Sequence, residues 1–135
     1  MNIVIREYLD SDYDSVYPLL LSVFHVQKEN VHDGRAHEFV CEYDGIVVGY
    51  FILNEMRDVV QDFLTYHVDY VCVDSAYQGR GIGRKMMDFV IHYAESHQVK
   101  RLELTSRNER VVAHQLYSSL GFEKRDSSIY RKELV

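Results

Sequence analysis

The chain has no tryptophan, a single proline and two cysteines, and its 15 Lys and Arg are outnumbered by 21 Asp and Glu. Two cysteines cannot build a disulfide framework. Cys41 and Cys72 both lie in apolar, strand-like segments and read as reduced core thiols. A formal net charge of −6 leaves no broad basic face to neutralise phosphates, so nucleic acid is not an expected partner. One proline and seven glycines mark turns rather than linkers, and no internal repeat or low-complexity tract is present. The longest apolar runs, such as Val16 to Leu21, fall short of the roughly 18–20 residues that cross a bilayer. Met1 to Glu7 alternates like a strand and has no basic segment followed by an apolar run. No secretory signal or membrane partner is therefore expected, and the expected location is cytoplasmic. The seven histidines are scattered, with neither His-Glu-x-x-His nor paired Cys/His spacing, so no metal is expected.

What is present suffices for one core. With 135 residues, 47% hydrophobic and 27% charged, the chain reads as a single domain over 1–135. Ile3 and Ile5 mark a first strand. Asp10, Ser11 or Asp12 can then cap a helix carrying Val16, Leu19, Leu20, Val23 and Phe24, which should start near Pro18 or kink there. A polar loop at 28–36 precedes strands at His37–Tyr43 and Ile46–Asn54, joined by Asp44-Gly45, whose residues tolerate the positive φ of a type I′ turn. A long strand, Phe63–Asp74, leads into a glycine cluster, and Ile82, Met86, Val90, Tyr93 and Ala94 then recur at helical spacing. Leu102 and Leu104 mark another strand, and Val112, Leu116 and Leu120 a helix ended by Gly121. Phe122–Arg125 and Ile129–Glu133 read as two short final strands. The order β-α-β-β-β-α-β-α-β-β predicts an α/β (α+β) fold with a mixed, largely antiparallel central sheet flanked by helices. Within it, Phe63 to Thr105 would be a right-handed parallel strand-helix-strand unit.

Gly79, Gly81 and Gly83 sit at the junction of the long strand and its helix. Without Cβ atoms the chain can take positive φ there and turn several N–H groups toward one anion. The helix start adds unpaired N–H groups and the positive end of its dipole, and Arg80 and Arg84 add counter-charge for a pyrophosphate. A plain tight turn capping a helix is the competing reading of such glycines. A P-loop pattern has no match in the chain, and the dinucleotide fingerprint would need glycine where Arg84 stands.

Gln78-Gly79-Arg80-Gly81-Ile82-Gly83, preceded by Val71-Cys72-Val73-Asp74, resembles the Gln/Arg-x-x-Gly-x-Gly/Ala signature of the GCN5-related N-acetyltransferase (GNAT) superfamily. Ala113 to Phe122, with Tyr117 shortly before Gly121-Phe122, is similar to that family's terminal helix motif. The resemblance spans essentially the whole chain, most closely from Val71 to Arg125. It implies acetyl transfer from the cosubstrate acetyl-CoA to a primary amine of a small molecule, by direct attack. The pyrophosphate would rest on Gln78, Gly79, Arg80, Gly81, Ile82, Gly83 and Arg84. The pantetheine arm would pair with the strand at Val71, Cys72 and Val73, where a backbone N–H would polarise the thioester carbonyl.

The resemblance also makes Tyr117 the expected acid for the departing thiolate, a proton transfer between groups with ordinary values near 8.5 and about 10. An amine that is charged at neutral pH needs a base, and Asp69 stands where many family members carry glutamate. Its shortness leaves open a direct role, a water-mediated one, or simple attraction of the ammonium. His67 and Tyr70 are the neighbouring alternatives. Asn108 resembles a contact to the cofactor arm, and His114 reads as a packing histidine or an orienting one. Peptide or protein N-acetylation and a non-catalytic acyl-CoA-binding domain remain alternatives. The final strands would offer an edge for a homodimer.

Overall fold

The computed structural model describes residues 1–26, 32, 34 and 36–135. Most of the loop expected at 28–36 therefore lies outside the described residues. The chain divides into two compact units, Met1–Thr105 and Ser106–Val135.

The first unit is a five-stranded sheet in the order β1-β2-β3-β4-β5, built from β1 (Ile3–Glu7), β2 (His37–Tyr43), β3 (Ile46–Asp58), β4 (Phe63–Val73) and β5 (Arg101–Leu104). The first three pairings are antiparallel and the last is parallel. This is the mixed, largely antiparallel sheet that the element order predicts. Asp44 and Gly45 both take positive φ, 50° and 84°, as the β2–β3 turn demands. β3 runs four residues beyond its expected end at Asn54.

Strand alternation sends successive side chains to opposite faces. On one face Phe39, Phe51, Leu53, Tyr66 and Val68 pack with Ile82, Met86, Val90 and Ala94 of helix α2 (Ile82–Ser96). On the other, Val40, Tyr50 and Cys72 pack with Val16, Leu19 and Leu20 of helix α1 (Tyr13–Leu21). Cys41 and Cys72 are both buried and unbridged, and burial raises the Cys41 thiol to about 11, so it stays protonated as a core group.

Two local expectations are corrected. Helix α1 does not start near Pro18, the first of the two expected arrangements: it begins at Tyr13, carries Pro18 in its interior and ends at Leu21, before Val23 and Phe24. Asp12 does not cap α1 with its side chain. Its carboxylate accepts from both terminal nitrogens of the Arg6 guanidinium, Nη1 to Oδ2 at 2.8 Å and Nη2 to Oδ1 at 2.9 Å, and from Leu9 N at 2.8 Å. Those Arg6 hydrogen bonds hold the carboxyl below its ordinary range against the opposing effect of burial.

The second unit contains helix α3 (Val111–Ser119). Gly121 has φ 92°. Phe122 N donates to Tyr117 O at 3.0 Å and Gly121 N to Ser118 O at 3.1 Å. This pair of bonds is a Schellman cap, in which the residue after the glycine packs back on the last turn. The Tyr117 and Phe122 rings do so, at 6.0 Å between centroids. The final strands expected at Phe122–Arg125 and Ile129–Glu133 do not form: among the described residues no strand follows β5. A strand lasts only where a neighbour satisfies its N–H and C=O groups. Ile129, Tyr130 and Leu134 are instead exposed to solvent.

Candidate functional site

The site begins where β4 loses a partner. The parallel ladder with β5 runs only from Thr65 opposite Arg101 to Val68 opposite Leu104. β4 continues to Val73. Among the described residues, Asp69–Val73 therefore has β3 as its only ladder neighbour, which leaves a row of backbone groups open to an added strand-like ligand.

The same stretch is distorted. Ile52 pairs with Asp69 and Tyr50 with Cys72, so Phe51 alone faces both Tyr70 and Val71. The extra residue is Tyr70, with φ 55°, a left-handed conformation that a bulky side chain adopts only under constraint. The bulge shifts the alternation by one position. Val68 and Val71 both pack toward the α2 face, and Cys72 returns to the α1 face. Tyr70 turns its ring outward, 53% exposed, edge-on to Phe24 at 5.0 Å.

After Val73 the chain makes a capped turn. The Asp74 carboxylate accepts from Ala76 N at 2.9 Å, and Gln78 Nε2 donates to Val73 O at 3.3 Å. Gly79 and Gly81 both have positive φ, 80° and 79°, and a Cβ at either would meet nothing within 4 Å. Backbone conformation, not crowding, is what calls for glycine there. Gly81 is the N-cap of α2, and no side chain caps that helix. Its first N–H groups are thus left for an anion, with the helix dipole favouring negative charge. The Arg80 guanidinium lies 5.1 Å from the Tyr77 ring centre and 5.3 Å from that of Tyr43, a cation–π seat that holds its charge beside the turn. Arg84 is exposed on the first turn of α2.

Just before the bulge is a polar cluster on the α1 face. Asn54 Nδ2 donates to Asp69 Oδ2 at 2.7 Å, and His67 Nδ1 lies 3.0 Å from Asp69 Oδ1. His67 Nε2 is 3.5 Å from Thr105 Oγ1. The structure thus joins Asp69 with one of its two sequence alternatives, His67, and turns the other, Tyr70, outward. In the same cross-strand row, Asp69 pairs with Ile52 and Ile52 with Glu38. Glu38 accepts from the buried Tyr50 hydroxyl. With Glu7, Tyr8, Asp10 and Phe39 it lines an open cavity of about 250 Å³. Glu38 was not legible as a site residue, and Asn54 only as the first residue of the polar stretch Asn54 to Asp62 expected to shape the acceptor site. A pairing partner is known only once register is known.

In the second unit Tyr117 is partly buried on α3, and burial raises its phenol above the ordinary value while Arg110 works the other way. His114 is half-buried on the same helix, and Asn108 lies in an exposed turn before it. Among the described residues no three His, Cys, Asp or Glu side chains group as metal ligands, and no helix is long and apolar enough to cross a membrane.

Comparison with known proteins agrees with this frame. Spermine/spermidine N(1)-acetyltransferase of Bacillus subtilis is 32% identical over 84 residues, covering 60% of this chain and 55% of that protein. N-alpha-acetyltransferase RimI of Mycobacterium tuberculosis is 35% identical over 80 residues, covering 59% and 48%. The chain spans about half the length of these two curated relatives. Among solved structures, the ribosomal-protein-alanine N-acetyltransferase of Brucella melitensis superposes with a TM-score of 0.83 at 22% identity, over 99% of this chain and 100% of that one. A possible acetyltransferase from Clostridium difficile gives 0.85 at 18% identity, over 100% and 99%. The model of the acetyltransferase (GNAT) family matches residues 2–122, a span that takes in the split strand, the glycine turn and the Tyr117 helix alike, and the chain belongs to that family.

Proposed function

We propose that the chain transfers an acetyl group from acetyl-CoA to a primary amine of a small molecule, by direct attack of the amine on the thioester. One observation carries the reading: the open, bulged stretch Asp69–Val73 runs directly into a turn whose positive-φ glycines lead to an uncapped helix start. A strand-like arm followed by a pyrophosphate is the ligand shape that such a continuous edge and nest accept. The backbone of Val71, Cys72 and Val73 would hold the arm. Gln78, Gly79, Arg80, Gly81, Ile82, Gly83 and Arg84 would hold the pyrophosphate, and Asn108 is proposed as a further cofactor contact. A backbone N–H freed by the bulge would face the thioester oxygen. The cosubstrate supplies an activated acyl carbon and a thiolate leaving group.

The reaction converts an alkylammonium and a thioester into an amide, a thiol and one proton. Tyr117 is proposed as the acid that protonates the sulfur, on its motif and on a phenol that burial keeps protonated. Asp69 is proposed to act on the amine. The Asp69–Ile52–Glu38 row and the acidic lining of the cavity favour a cationic acceptor. The relative named for N-alpha-acetylation favours a second reading, in which the acceptor is the terminal amine of a peptide.

Polyamines, aminoglycosides, amino acids and short peptides, each supplied with acetyl-CoA, test both readings by release of free thiol. Turnover with small cationic amines supports the first, and turnover with peptides alone the second. Retained CoA binding with no turnover on any amine overturns the enzyme in favour of an acyl-CoA-binding domain. Loss of both overturns the acyl-CoA site.

A further inference from the structure

We propose that His67 is the group that takes the proton from the acceptor ammonium, at Nε2, and that Asp69 and Asn54 are positioning residues acting through it. The inference rests on the acetyl-transfer reading above and names the base within it.

Both carboxylate oxygens of Asp69 are engaged inside the protein, Oδ2 by Asn54 Nδ2 at 2.7 Å and Oδ1 by His67 Nδ1 at 3.0 Å. A carboxylate held at both oxygens is poorly placed to collect a further proton and well placed to fix a neighbouring ring. With Nδ1–H donated to Asp69, the imidazole presents its lone pair at Nε2. Nε2 faces Thr105 Oγ1 at 3.5 Å, too long for a strong bond and close enough for an incoming water or amine to displace. Thr105 directly follows β5, and His67 lies one row before the last rung of the β4–β5 ladder. Nε2 therefore opens at the mouth of the gap where β4 loses its partner.

Among the described residues, the charged groups on the strands around this ring are few. On β4 there is Asp69. On β5 the same face carries Arg101, whose guanidinium covers the Phe63 ring at 4.8 Å, and Glu103, the Cα partner of His67. The facing positions of β3, Ile52, Asn54 and Met56, are neutral. The buried positions that α1 turns to the sheet, Val16, Leu19 and Leu20, are apolar.

The proton account closes. The ammonium gives one proton to Nε2, forming an imidazolium beside the Asp69 carboxylate. The freed lone pair forms the C–N bond, and the C–S bond breaks with its electron pair going to sulfur. Nitrogen loses its second proton to water as the amide forms, Tyr117 gives its proton to sulfur and regains one from water, and His67 returns its own to water, for a net release of one proton.

The test uses the full chain, acetyl-CoA and the best amine of the panel. His67→Asn keeps a donor at the Nδ1 position and deletes Nε2. It should lower kcat by about 10²-fold or more, leave the KM for acetyl-CoA within about twofold, and abolish the acid limb of kcat/KM. In His67→Ala, added imidazole should restore part of the rate, which guards against a folding artefact in either variant. Asp69→Asn removes an anion beside the ring and so favours the neutral imidazole. Its acid limb should move to lower pH, with a smaller loss of kcat. A parent-like rate and acid limb in His67→Asn overturns the inference. So does loss of the limb in Asp69→Asn with its retention in His67→Asn, which would make Asp69 the base. No acetyl transfer by the parent on any amine overturns the underlying reading, and the inference with it.

Discussion

Tyr117 combines an observed packing contact with a proposed proton transfer on one side chain, and the two are separable. Its ring meets Phe122 across the Schellman cap that ends α3, which gives the spacing of tyrosine before Gly-Phe a structural reason apart from chemistry. Its hydroxyl is the part proposed to protonate sulfur. Tyr117→Phe keeps the ring contact and deletes the hydroxyl, so Tm should stay within about 2 °C while kcat falls about 10²-fold. Burial raises the phenol. As the protonated form is the working one, the basic limb it governs should lie above the ordinary phenol value near 10 and vanish in the variant. Thermal unfolding and a pH–rate profile check both halves, and an unchanged kcat removes Tyr117 as the acid. The residue types at this site were readable from the motif. Its internal pairing was not: that His67 and Asn54 both reach Asp69 depends on the β3–β4 register.

At the scale of the element, the glycine turn is only as well placed as the helix behind it. Gly49, in β3, lies against Met86 of α2. A Cβ there would stand 2.9 Å from Met86 Sδ and 3.1 Å from Cys41 Cβ. Both are fully buried, so neither can move aside freely. Gly49→Ala should cost about 1–3 kcal/mol, read by denaturant unfolding, and should weaken acetyl-CoA binding by displacing α2 with its N-terminus. A stability equal to the parent would mean that the contact relaxes without strain. Nothing in the sequence singles out Gly49, since its meaning comes from a helix more than thirty residues away. The bulge in β4 does leave a trace. The residues facing α2 run Tyr66, Val68, Val71, Val73, a step of three amid steps of two, which a regular strand does not produce. The failed final strands are the converse case. Phe122–Arg125 and Ile129–Glu133 have adequate strand composition, but composition supplies no hydrogen-bonding neighbour.

For the whole molecule, the net charge of −6 and the acidic groups Glu38 and Asp69 would act on the proposed cationic acceptor before contact. Raising ionic strength from about 0.01 M to about 0.15 M shortens the Debye length from about 30 Å to about 8 Å. The KM for a polyamine should therefore rise several-fold over that range, while a mono-amine should change less. Initial-rate measurements at the two salt concentrations decide it, and equal salt dependence removes long-range charge from acceptor choice. The sequence by itself determined the class of fold and the site of the glycine turn, because hydrophobic period and the φ demands of glycine are local properties carried by neighbouring residues. The resemblance to the family, carried by those residues, also marked Tyr117 and Asp69 for testing. Only the tertiary structure decided that β4 parts from β5 after Val68, that Tyr70 is the extra residue, and that Asp69 is held between Asn54 and His67. Those are facts of register and pairing between strands far apart in the chain, which no local pattern encodes.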